Sequence, residues 1–132
     1  MTVLIAEDTA ILRMTMKNIL IRFCGITSDC IHEAEDGIQA IKTYNMVQPD
    51  IAFMDISMPK INGEIAIKQL LSIDPNAKII ILTGSRDERD VIDCIKSGAT
   101  DYLLKPLLPK RVQDAIRRLY AATPDLLPPA LR

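Results

Sequence analysis

Five side chains stand where an apolar run meets a polar residue, and their types suit the handling of a phosphoryl group. Glu7 and Asp8 close the run Val3 to Ala6, and Asp55 closes IAFM at the head of IAFMDISMPKING. Thr83 follows IIIL and Lys105 follows YLL. If the runs are neighbouring strands, the three carboxylates crowd one place. Two like charges ~4 Å apart repel by about 4 kcal/mol at an effective dielectric near 20. A hard dication with oxygen ligands, Mg²⁺ or Mn²⁺, would offset that, and Lys105 would add positive charge from the other side. A metal and a lysine neutralise phosphoryl oxygens, and a carboxylate can attack phosphorus to give an aspartyl phosphate. Asp55 suits the nucleophile, because it stands alone at its strand end, and Glu7 and Asp8 suit the metal. Singly, each has an ordinary structural explanation as a cap, turn or strand closer. Their joint placement points to chemistry.

The elements that must position these groups alternate along the chain. Val3 to Ala6, Cys30 to Ala34, Ile51 to Met54, Lys78 to Leu82 and Tyr102 to Leu104 read as strands. Helices are expected between and after them. The first spans residues 10 to 23 and carries Leu12, Met16, Ile19 and Phe23 at helical spacing. The second follows a capping box at Asp36-Gly37-Ile38-Gln39, and the third runs from Gly63 to about Ile73. The fourth follows a second box, Ser85-Arg86-Asp87-Glu88, continues through Val91, Ile92 and Ile95, and ends at Gly98. The fifth starts at Pro109 and carries Val112, Ala115, Ile116 and Leu119. Five strand–helix repeats with short loops predict an α/β fold with a doubly wound parallel sheet. Its apolar strands need helices on both faces. In such sheets ligands bind at the carboxyl ends of the strands, where the five side chains fall. Residues 123–132, with three prolines, read as a tail or the start of a linker.

Composition narrows the function classes. The chain has 132 residues, 48% of them hydrophobic and 25% charged, with a net charge of −1. That fits one domain with its own core, and no basic surplus argues for direct binding of nucleic acid. No apolar run approaches a membrane span, and the N-terminus lacks the pattern of a signal peptide. Cys24, Cys30 and Cys94 are scattered, which points to reduced thiols in the cytoplasm. The lone His32 reads as a solvated or satisfied side chain on an edge strand.

The pieces VLIAED, EAEDGIQAI, PDIAFMDISMPKINGEIAI, IIILTG and SGATDYLLKPL carry a resemblance. From about Thr2 to Leu119 the chain resembles a response-regulator receiver domain, chemotaxis-regulator-like, the phosphoacceptor half of two-component signalling. The resemblance implies the flavodoxin-like (βα)5 fold with strand order 2-1-3-4-5. It implies a receiver domain over residues 1–121 and a tail or linker start over 122–132. Asp55 falls on the phosphoacceptor, Lys105 on the family's lysine, Thr83 on the switch hydroxyl and Tyr102 on the aromatic switch residue. Asp8, Asp55 and the backbone carbonyl of Ser57 fall on Mg²⁺ ligands. Glu7, longer than the aspartate many members carry, would reach the metal through water. Ser57 and Ser85 fall where the family tunes phosphoryl lifetime, and small hydroxyls there imply no unusual protection. The Lys105–Pro106 bond is implied to be cis. Implied partners are a histidine kinase or histidine phosphotransfer protein, and a downstream protein or an output domain. The surface of the fourth helix, fifth strand and fifth helix would signal to them, and a phosphorylation-dependent dimer stays open. No catalysis is implied beyond self-phosphorylation and dephosphorylation.

Three other classes fit less well. A phosphohydrolase of the haloacid-dehalogenase type wants a second aspartate two residues after the nucleophile, where this chain has Ser57. A nucleotide- or flavin-binding module wants a glycine-rich loop after the first strand, where the chain reads AEDTAILR. A receiver-shaped interaction module that is never phosphorylated would not need the full set of acids, hydroxyl and lysine.

Overall fold

The structure, a computed structural model, describes residues 1–84 and 88–132, without the side chain of Glu88. Strands and helices alternate as β1 (Val3–Ala6), α1 (Ala10–Cys24), β2 (Ile31–Ala34), α2 (Gly37–Val47), β3 (Ile51–Asp55), α3 (Gly63–Ile73), β4 (Ile79–Thr83), α4 (Glu88–Lys96), β5 (Asp101–Leu104) and α5 (Pro109–Leu119). The five strands form one parallel sheet in the order β2-β1-β3-β4-β5, as expected. The three central strands are buried along their whole length, and β2 and β5 carry the polar positions of sheet edges.

The period of two along each strand divides the core. Val3, Ile5, Ile51, Phe53, Ile80 and Leu82 face one way, against Met16, Ile19 and Leu20 of α1 and Val112, Ala115 and Ile116 of α5. Leu4, Ala6, Ala52, Met54, Ile79 and Ile81 face the other way, against Ala40 and Tyr44 of α2, Ala66, Ile67 and Leu70 of α3, and Cys94 of α4. A strand clamped on both faces cannot slip by one residue without exchanging its faces. The polar residue at its end is therefore fixed in height.

Local chemistry sets the element ends. The Asp36 carboxylate accepts the Gln39 amide at 2.8 Å, and the Gln39 side chain accepts the Glu35 amide at 3.1 Å. This is a capping box whose return bond lands one residue early. Asn62 caps α3 by accepting the Ile65 amide at 2.9 Å. Gly98 follows α4 at φ 116, a conformation side-chain-bearing residues resist. A Cβ on Gly63 would sit 2.9 Å from the Ile56 Cα, so the loop after β3 can fold onto α3 only with glycine there.

Several expectations shift. The buried face of α1 is Met16, Ile19, Leu20 and Cys24, and Phe23 is 45% exposed. That places the interior ridge at spacings of four, turned away from Phe23. On α4, Cys94 faces the sheet while Ile92 and Ile95 are exposed. Ser85, Arg86 and Asp87 of the second box, and the Glu88 side chain, lie outside the described residues. The proline-bearing segment forms two 3-10 turns, Pro124–Leu126 and Pro129–Leu131. It buries Leu127 and Leu131 in the α1–α5 side of the core, and the Leu131 carbonyl accepts a bond from Arg117 at 3.2 Å.

Truncating a buried leucine costs about 2–5 kcal/mol, and truncating an exposed one usually stays within about 0.5 kcal/mol. Leu131 is 1% exposed and Leu126 is 65% exposed. Urea unfolding is expected to show Leu131→Ala losing about 2–3 kcal/mol while Leu126→Ala stays near wild type. Equal midpoints for the two would mean the segment does not dock.

Candidate functional site

The strand order places the carboxyl ends of β1, β3, β4 and β5 side by side, and the register sets the site residues level. Ala6 pairs with Met54, so Glu7 emerges beside Asp55. Asp55 pairs with Leu82, one residue before Thr83. Thr83 pairs with Leu104, and the Lys105 amide donates to the Thr83 carbonyl at 2.8 Å. The Lys105–Pro106 bond is cis.

Side-chain contacts close the arrangement. Lys105 Nζ lies 3.2 Å from Asp55 Oδ2 and 3.3 Å from Glu7 Oε2. The other Asp55 oxygen accepts the Ser57 amide at 3.1 Å, and the other Glu7 oxygen accepts the Thr9 amide at 3.3 Å. Glu7, Asp55 and Thr83 are buried, whereas Asp8 stands exposed at the rim. One carboxylate oxygen from each of Glu7, Asp8 and Asp55 lies within 4.8 Å of the others.

Three carboxylates facing one ammonium leave the site anionic if all are ionised. Burial, and then the neighbouring Asp55, push the Glu7 carboxyl up to about 7, although Lys105 and the Thr9 amide pull it down. The donor set is all oxygen and rich in charge, with an open side at Asp8. It fits a hard dication that keeps part of its water shell, and it does not suit a thiolate-preferring metal.

Glu7, Asp8, Asp55, Ser57 and Lys105 thus meet at one sheet edge, with Thr83 beside them. Tyr102 is not among them. It points away on the edge strand, 43% exposed, near Asp101, Arg111 and Arg118. Ser85 lies outside the described residues. One residue that escapes a reading of strand ends is Arg13 on α1, which donates to the carbonyls of both Glu7 and Asp8. The signal for it was a cation in the first turns of a helix that directly follows an acidic pair.

An acidic cluster with a lysine, at the carboxyl edge of a 2-1-3-4-5 sheet, is the arrangement that a phosphoacceptor signalling domain requires. A family model described as "Response regulator receiver domain" matches residues 3–117, and the chain belongs to that family. It is 41% identical over 117 residues to the chemotaxis protein CheY of Thermotoga maritima, covering 89% of this chain and 95% of that one. It is 38% identical over 116 residues to CheY of Bacillus subtilis, covering 88% and 94%. Among solved structures, the CheX–CheY–BeF3–Mg complex from Borrelia burgdorferi matches with a TM-score of 0.80 at 27% identity, over 90% of this chain and 88% of that one. The receiver domain of a Pseudomonas aeruginosa sensor histidine kinase, with magnesium coordinated in its active-site cleft, matches with a TM-score of 0.79 at 25% identity, over 89% and 94%. Among the described residues no helix is long and apolar enough to cross a membrane.

The raised Glu7 carboxyl makes stability depend on pH in a definite sense. Between the ordinary value of 4.5 and about 7, the unfolded chain has lost the Glu7 proton while the folded chain keeps it. Metal-free stability therefore falls as pH rises through that window. Glu7→Gln is expected to flatten the fall and to be more stable than wild type at pH near 8 in a chelating buffer. Urea midpoints across that range check it, and an unchanged slope in the variant would assign the titration to another group.

Proposed function

We propose that Asp55 accepts a phosphoryl group from the phosphohistidine of a histidine kinase or histidine phosphotransfer protein. The observation that carries this is the Asp55 carboxylate, 5% exposed, held 3.2 Å from Lys105 and clustered with Glu7 and Asp8. An Asp55 oxygen attacks phosphorus, the phosphorus–nitrogen bond breaks, and the imidazole leaves and takes up a proton. Asp8, Asp55 and the Ser57 carbonyl, with Glu7 through water, would hold Mg²⁺ (or Mn²⁺), which would supply charge neutralisation for the phosphoryl oxygens. Lys105 exchanges its ion pair with Asp55 for one with the phosphoryl group. Magnesium in two structural relatives supports the choice of metal.

The output is a change of surface. The new dianion draws the Thr83 hydroxyl toward it, and Tyr102 turns inward from its exposed position. The α4–β5–α5 face, with Ile92, Ile95 and the Asp101–Arg118 pair at 3.0 Å, is thereby remade for a downstream protein or an output domain, or for a second phosphorylated copy. Phosphorylation and dephosphorylation of itself are its only catalysis, and the cytoplasm is its place. The side chains at 57 and 85 are small serine hydroxyls by sequence, so the label decays without unusual protection.

Acetyl phosphate with Mg²⁺ is expected to label the wild-type chain, and Asp55→Asn is expected to abolish the label. Undiminished labelling of the variant would overturn the assignment. The wild-type label should also be lost well within several hours when Mg²⁺ is present, and survival for many hours would contradict the role given to the two serines.

A further inference from the structure

The acidic pair lies just beyond β1, where the sheet no longer holds it. The Glu7 amide still bonds to the Ala34 carbonyl at 3.0 Å, and α1 begins only at Ala10. The carbonyls of Glu7 and Asp8 therefore fall between two hydrogen-bonded ladders and need donors from elsewhere. Arg13 supplies them. Its Nη1 donates to the Glu7 carbonyl at 2.7 Å and to the Asp8 carbonyl at 3.2 Å. Behind it, Nε lies 3.5 Å from Glu33 and Nη2 lies 3.5 Å from Glu35, both near the end of β2. The side chain is 13% exposed, which is low for an arginine on a surface helix.

We propose that Arg13 is a positioning residue for the cation site, a strut that fixes two successive peptide planes and so aims the Glu7 and Asp8 carboxylates. The planar guanidinium fork can serve carbonyls on one side and carboxylates on the other, which a lysine ammonium cannot match. Outer-shell partners of this kind typically carry about 10- to 100-fold in metal affinity. The inference rests on the phosphoacceptor reading for the identity of the site.

Two effects of Arg13 on Mg²⁺ oppose each other. Its positive charge repels the metal, whereas its bonds preorganise the ligands. Glu33 and Glu35 take up the charge from behind, and the two bonded carbonyls belong to the residues whose carboxylates line the site. Positioning therefore dominates, and removal weakens Mg²⁺ binding despite deleting a cation. A merely structural arginine would lower stability and leave affinity untouched, and a merely electrostatic one would strengthen binding when lost.

The test is the Mg²⁺ dissociation constant of the unphosphorylated protein, measured by chemical-shift titration. Arg13→Met should weaken binding about tenfold or more. Arg13→Lys should fall between it and wild type. Lys17→Met removes a charge one turn further along α1, paired with Glu33 at 3.8 Å, and should not weaken binding. In the metal-free state, hydrogen exchange of the Thr9 amide, which bonds to Glu7, should quicken in Arg13→Met. Mg²⁺ binding by folded Arg13→Met as tight as wild type, or tighter, overturns the proposal. Should Arg13→Met not fold, the same comparison with Arg13→Lys decides. A wild-type chain that neither binds Mg²⁺ nor takes label would instead overturn the phosphoacceptor reading, which separates the two failures.

Discussion

Glu7, Asp8 and Asp55 bring carboxylate oxygens within 4.8 Å of one another, and the fold holds them there against their mutual repulsion. Two of the three are buried, so solvent screens them poorly. The restraint is the parallel sheet. β1 and β3 are buried on both faces and locked in register, so neither acid can retreat without moving apolar side chains out of the core. Lys105 offsets part of the repulsion, and burial and the neighbouring Asp55 push the Glu7 carboxyl up, which favours its neutral form. A dication would complete the compensation, and a phosphoryl group would then bring new negative charge for the metal and Lys105 to hold. A ligand bound there would change a charge balance shared by several strands, which is how a small group can shift a whole domain.

Lys105 connects this charge balance to the rest of the fold. It pairs with both buried acids, and its amide bonds to the Thr83 carbonyl, so the strands β1, β3, β4 and β5 meet at one residue. Drawing the ammonium toward a phosphoryl group would loosen its hold on Glu7 and shift forces on β4 and β5. Those strands lead to α4 and α5. α4 buries Cys94 and leaves Ile92 and Ile95 exposed, and the edge strand β5 leaves Tyr102 outside. α4 and β5 thus carry exposed apolar side chains.

Much of this was legible in the chain itself. Buried parallel strands are unbroken apolar runs, so their ends announce themselves, and a polar residue at each of several ends locates the site. Asp36 was readable as a cap because its carboxylate has one obvious amide to accept. What stayed hidden depended on neighbours distant in sequence. Phe23 matches the helical period as well as Cys24 does, but the docked residues 124–131 and α5 lie on the Cys24 side. Leu127 and Leu131 sit among prolines, where no period betrays burial. Arg13 carries no strand-end signature, and its meaning comes from two carbonyls that only the turn brings within reach.

What most needs testing is that residues from two strand ends make one cation site, beside Lys105 from a third. Titration with Mn²⁺ as a paramagnetic probe tests it directly, read from the amide signals of the wild-type protein. Signals of residues 7–9, 55–57 and 105 are expected to broaden first and together, and excess Mg²⁺ is expected to restore them. Broadening scattered over unrelated acids, or none near Asp55, would contradict it.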